Sequence, residues 1–96
     1  MRKYEIMFIV KPDLEEKVVK DTVKKLEKTL ADNKTTITLS KELGQKEFAY
    51  EIKGHKSGFY YLYNIDTNKD TVIKEFDRIA SLDENVLRHL ILNVEK

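Results

Sequence analysis

Few residues in this 96-residue chain have the type and spacing that catalysis needs. His55 and His89 are the two histidines, and neither stands at metal-ligand spacing from the other. The chain has no cysteine, which removes disulfides, thiolate metal sites and a cysteine nucleophile. His55 falls in a predicted turn and His89 in a predicted strand, so both read as surface or structural residues. Ser40, Ser57 and Ser81 lack the sharp-turn motif that presents a serine nucleophile. Gly44, Gly54 and Gly58 read as strand and turn glycines, not as a phosphate-cradling loop. What remains is rings and cations. Tyr50, Phe59, Tyr60, Tyr61 and Tyr63 lie within Gly44–Ile65, GQKEFAYEIKGHKSGFYYLYNI. Arg2, Lys3, Lys46, Lys53, Lys56 and Arg88 fall on predicted strands, at their ends, and in the hairpin loop. A sheet that shows rings beside lysines suits RNA or a protein partner. The planar guanidinium of arginine can grip phosphate in two places, which sets Arg2 and Arg88 apart among the cations.

The composition limits what these residues can do alone. The length fits one domain, 1–96, with a modest core built from Ile, Leu, Val, Phe and Tyr, since Trp is absent. Net charge is +1 with 36% charged residues, a mixed surface and not a polybasic one. RNA binding would therefore rest on a local patch and on help from a partner. Lys17, Lys20, Lys24 and Lys28 form a stripe, but Glu16, Asp21 and Glu27 interleave, which reads as a solvated helix face. No apolar run approaches the roughly 20 residues of a membrane helix. The opening MRKYEIMFIV lacks a small-residue cleavage site and reads as a strand, not a leader.

The elements that must position these groups follow from periodicity. Residues 3–10 alternate, with Tyr4, Ile6, Phe8 and Val10 facing the core and Glu5, Met7 and Ile9 on the other side. Pro12-Asp13 starts a helix, with Asp13 as its cap and Glu16 at capping-box spacing. Leu14, Val19, Val23, Leu26 and Leu30 recur at helical spacing to about Ala31, and Asp32-Asn33-Lys34 ends the run. Thr35–Ile52 reads as one long strand whose apolar phase switches from Ile37 and Leu39 to Phe48, Tyr50 and Ile52. One extra residue makes such a switch, so a bulge is expected at Gly44. Lys53–Gly58 is a predicted turn and Phe59–Ile65 a strand. Thr67 or Asn68 would cap a second helix with Val72, Ile73, Phe76, Ile79 and Ala80 inward. Asp83-Glu84-Asn85 turns the chain into a last strand, Val86–Val94. The β-α-β-β-α-β order predicts an α+β ferredoxin-like sandwich: a four-stranded antiparallel sheet, order 2-3-1-4, with both helices on one face.

Several resemblances bear on function. Acylphosphatases share this topology, but Lys11-Pro12-Asp13 stands where their glycine-rich catalytic loop would be. Gly58-Phe59-Tyr60-Tyr61-Leu62-Tyr63 partly resembles the RNA-recognition-motif signature, in which alternate rings stack on bases. Phe59, Tyr61 and Tyr63 would share a face, and packing with a protein interface is the stronger reading of them. Met1-Arg2-Lys3-Tyr4-Glu5-Ile6 resembles the "MRxYE" opening of the bacterial small-subunit ribosomal protein six (S-six) family. Gly44–Ile52 resembles that family's "WGxRxLAYxI" motif, His55–Tyr60 its "xxGxY" stretch, and Asp83–Leu90 its "xxDxxxLRxM" final strand. Leu43 stands in place of the usual Trp, and Glu47 beside Lys46 where arginine-rich residues are usual.

The resemblance implies a structural, cytoplasmic ribosomal protein, not an enzyme, with no cofactor, metal or small-molecule substrate. It implies binding to the central domain of 16S rRNA together with ribosomal protein eighteen (S-eighteen). On this reading Arg2, Lys3, Lys46, Lys53, Lys56 and Arg88 are the expected RNA contacts, with Arg2 and Arg88 foremost. Tyr50, Phe59, Tyr61 and Tyr63 are the expected partner contacts. Two other functions share the predicted fold: a stand-alone RNA-recognition domain and a small-molecule regulatory module.

Overall fold

Alternation in the first strand sets the architecture. In the computed structural model, which describes residues 2–31, 35–68 and 70–94, β1 runs Arg2–Val10. Tyr4, Ile6, Phe8 and Val10 are all buried. Helix α1 spans Glu16–Leu30 and buries Val19, Thr22, Leu26 and Leu30, one residue per turn on one stripe. Strand β2, Thr35–Ile52, pairs with β3, His55–Thr67. Helix α2 covers Asp70–Leu82 and strand β4 Val86–Asn93. The sheet order is β2-β3-β1-β4 with every neighbouring pair antiparallel. Both β-α-β halves thus cross over an intervening strand, as the predicted sandwich requires. Phe8 is the centre of the core: its ring stacks on Tyr61 at 5.3 Å and Tyr63 at 5.8 Å and tilts against Phe76 of α2 at 6.1 Å.

Polar contacts tie α1 to the α2–β4 turn. The Asn85 N–H donates to Asp83 Oδ1 at 2.9 Å, and Lys25 of α1 donates to the other oxygen at 3.0 Å. Asn85 Nδ2 donates to Thr22 Oγ1 at 3.3 Å, and the Lys11 N–H to the Asn85 carbonyl at 3.0 Å. These bonds give the buried hydroxyl of Thr22 and the half-buried Asn85 their partners, which burial of polar groups demands.

Local expectations needed correction at several points. The residue before α1 is Glu15, with extended backbone and no side-chain cap. Asp13 lies two residues too early to reach the first free amides, so the expected capping box does not form. Thr67 is a fully buried strand residue whose hydroxyl accepts a bond from Thr35 at 3.0 Å. Helix α2 starts at Asp70, so neither Thr67 nor Asn68 directly precedes it. The β2–β3 turn is only Lys53-Gly54, both with positive φ (51° and 82°), the type I′ geometry that matches strand twist. His55–Gly58 is strand instead of loop. Asp32-Asn33-Lys34 lies outside the described residues.

Candidate nucleic-acid interface

Register sorts the side chains of the sheet into two faces, because directly opposed residues share a face. On the helix side, His89, Phe8, Tyr61 and Glu42 form one row across the strands, and Ile91, Ile6, Tyr63 and Ser40 the next. On the open side the rows are Arg88–Ile9–Tyr60–Gly44, Leu90–Met7–Leu62–Lys41 and Leu92–Glu5–Asn64–Leu39. The open face is thus largely apolar, with Leu90 46% and Leu92 45% exposed.

The far end of the β2–β3 hairpin reshapes that face. Gly44 has φ +83°, a left-handed conformation that favours glycine, and pairing shifts there as the phase switch predicts. A second, larger irregularity follows. Glu47 faces Ser57 and Ile52 faces His55, which leaves Phe48–Glu51 opposite Lys56 alone. This four-residue excursion folds Phe48 over the sheet, against Tyr60 at 6.0 Å between ring centroids. Gly58 makes room for it: a Cβ there would sit 2.5 Å from Ile9 Cγ2 and 3.0 Å from Phe48 Cζ. Ile9 is consequently buried although it lies on the open side. The excursion walls a cavity of about 450 Å³ with Met7, Ile9, Tyr60 and Leu90 along it and Arg88 beside it.

The six expected RNA contacts do not converge. Arg2 and Lys3 begin β1, opposite Thr67 and Asp66. Arg88 faces Ile9, at the other end of that strand, roughly 20 Å away at the rise of a β-strand. Lys53 joins Arg88 in lining a second cavity of about 330 Å³. Lys56 is exposed in the same hairpin end, and Lys46 reaches over the Tyr60 ring with Nζ 5.9 Å from its centroid. One cationic group therefore forms at the hairpin end, and Arg2 with Lys3 stands apart. The third arginine, Arg78, is engaged by Glu75 on the outer face of α2 through Nε at 3.3 Å and through Nη2. That hydrogen bond holds the Glu75 carboxyl below its ordinary range.

The four expected partner contacts divide differently. Tyr50 projects from the excursion and is 85% exposed. Tyr61 and Tyr63 are buried under the helices, and the Tyr63 hydroxyl donates to Glu27 Oε2 of α1 at 2.9 Å. Tyr61 pairs with Phe8 and Tyr63 with Ile6, both on the core side, so the folded domain offers neither ring to a partner or to a base. Phe59 is half-buried on the same side and packs against the core. Met7, Leu62, Leu90, Leu92 and Leu39 are among the apolar residues on the open face, where Glu5 alone makes the β1 sequence look polar.

The remaining polar groups are structural. His89 Nε2 pairs with Asp77 Oδ1 at 2.7 Å, and its ring meets Phe76 edge-on. Ser57 Oγ accepts a bond from Gln45 at 3.0 Å. Among the described residues no cluster of three or more His, Asp or Glu could hold a metal ion, and no helix is long and apolar enough to cross a membrane.

Fold and surface together define a two-layer α+β domain with one face under helices and an open, apolar sheet face edged by cations. The sequence matches the Ribosomal protein S6 family over residues 3–93. Small ribosomal subunit protein bS6 of Limosilactobacillus reuteri (strain DSM 20016) is 40% identical over 94 residues, 98% of this chain and 96% of that one. The crystal structure of 30S ribosomal protein S6 from Thermotoga maritima superposes with a TM-score of 0.89 at 25% identity, covering 96% of this chain and 86% of the other. The chain belongs to the ribosomal protein S6 family, structural components of the small ribosomal subunit and not enzymes.

Proposed function

We propose that this protein binds the central domain of 16S rRNA as a heterodimer with S-eighteen, and that its contribution is positioning. The family match across residues 3–93 carries this reading. The geometry supports a division of labour between two adjoining surfaces. Arg88, Lys53 and Lys56 at the hairpin end hold phosphates, while the apolar sheet face holds the protein partner. A chain of net charge +1 has little long-range pull on RNA, so most of the electrostatic attraction comes from the partner. Arg2 and Lys3, at the opposite end of β1, contact RNA separately if the bound strand runs the length of the sheet.

Arg88 is exposed on β4, so its replacement leaves the core intact. Arg88→Ala is expected to weaken assembly of the heterodimer on central-domain RNA and to reduce the slope of log affinity against log salt by about one contact. Filter binding across a salt series measures both. An unchanged affinity and slope would remove Arg88 from the phosphate contacts.

A further inference from the structure

A groove on the helix side of the sheet, across from the face proposed for the partner, has the chemistry of a ligand site. It lies between the start of α1 and the β2–β3 pair and holds about 360 Å³. We infer that this groove binds a small organic cation, a protonated amine carried on an apolar body.

The local structure builds the apolar part. Leu14, just before α1, and Val19, one turn into it, wall the groove together with Phe59 of β3. The edge strand β2 supplies the opposite wall. Glu42 pairs with Tyr61, which places it on the helix side, and the bulge between Glu42 and Gly44 bends the strand there. Gly44 leaves the mouth clear, since a Cβ on it would meet nothing within 4 Å. A concave, largely apolar space of this volume with a few convergent polar groups is the usual form of a small-molecule site.

Two polar groups converge in it. The Tyr61 ring is buried, yet its hydroxyl makes no hydrogen bond to any of the described residues. Glu42 is exposed and has no ion-pair partner among the described residues. The two groups are close enough to interact: burial first, then the charge of Glu42, raises the Tyr61 phenol. Carboxylate and phenol oxygens together offer an ammonium group two acceptors.

The charges nearby set the sign of the ligand. Glu16, the other carboxylate of the lining, meets the positive end of α1 and pairs with Lys20 Nζ at 3.2 Å, so these two cancel. Lys17 and Lys24 line a neighbouring groove with Asp21. Lys41 and Lys46 stand opposite Leu62 and Gly58, on the open side of β2. Glu42 therefore leaves the lining net negative, which attracts an ammonium and repels a carboxylate or phosphate. The apolar walls disfavour a polyamine, whose further charges would have to enter them.

The test titrates phenylpropylammonium into the isotope-labelled chain and follows backbone amide shifts by nuclear magnetic resonance, with phenylpropanol and phenylpropionate as neutral and anionic counterparts. Saturable shifts are expected at Val19, Glu42, Gly44 and Phe59, with a dissociation constant of about 1 mM for a ligand of this size. The alcohol should bind about threefold more weakly or worse, and the carboxylate more weakly still. That preference should shrink as salt rises. Glu42→Gln changes an exposed residue, so the fold is kept, and it should bring the amine down to the affinity of the alcohol. No saturation by the amine up to about 20 mM would overturn the inference. Equal binding of all three probes, a preference for the amine that survives Glu42→Gln, or shifts confined to the open face would each overturn it as well.

Discussion

Tyr63 combines burial with a hydrogen bond in a way that makes a single atom testable. Its hydroxyl donates to Glu27 across the β3–α1 contact while its ring stacks on Phe8. Tyr63→Phe keeps the ring and removes the bond, which should cost about 1 kcal/mol, since Glu27 is largely in water. Burial first, and then the bond to Glu27, raises the Tyr63 phenol well above its ordinary range. Burial and the charge of Glu42 raise Tyr61 as well. The unfolded chain then loses phenolic protons at lower pH than the folded one. The stability that these phenols contribute is complete below about pH 10 and falls as pH rises through their folded values. Denaturant melts from neutral to strongly alkaline pH should show that decline, and Tyr63→Phe should make it shallower. An identical alkaline decline in both proteins would contradict the assignment. At this scale the sequence was half legible. Strand parity said that Phe59, Tyr61 and Tyr63 share a face, and the same parity in β1 marked Tyr4, Ile6, Phe8 and Val10 as core. What the sequence did not carry was the pairing of Phe8 with Tyr61, which places the rings on the core side.

The β2–β3 hairpin holds most of what is specific to the candidate site. Its bend at Gly44 was readable because the apolar phase switches there, whereas the earlier shift between Ile37 and Leu39, which share one phase in sequence, was not. The larger excursion at Phe48–Glu51 was not readable. Phe48, Tyr50 and Ile52 alternate as in an ordinary strand, and only the pairing with β3 reveals that Lys56 faces four residues. Gly58 is the hinge of this arrangement because Ile9 and Phe48 both close over it. Gly58→Ala should destabilise the fold by about 1–3 kcal/mol, the usual cost of overpacking, and should lift Phe48 off Tyr60. Urea melts measure the first, and ring-proton shifts of Tyr60 the second. Full stability with unchanged shifts would contradict the close packing. The same bulges interrupt the exposed edge of β2 at three points, after Ile37, after Glu42 and after Glu47. An 18-residue edge strand without them would invite pairing with a second chain.

For the molecule as a whole, element order and sheet order were legible because hydrophobic periodicity changes cleanly between strand and helix, and few topologies accommodate β-α-β-β-α-β. The site was less so. Sequence alone listed six cations, and three-dimensional placement separates Arg2 and Lys3 from the group at the hairpin end. That separation follows from the antiparallel pairing of β1 with β4, which sets Arg88 opposite Ile9 at the far end of the strand from Arg2. The resulting picture is a nearly neutral scaffold with a cationic group at the hairpin end and an apolar sheet face. On the proposed function such a molecule gains RNA affinity chiefly by presenting a partner, so binding should be cooperative. The direct measurement is the affinity of a 16S central-domain RNA fragment for this chain alone, for S-eighteen alone, and for the two together at one salt concentration. The account predicts weak binding by this chain alone and markedly tighter binding by the pair than by either component. Binding by the chain alone as tight as by the pair, or no gain over S-eighteen alone when the two are combined, would contradict it.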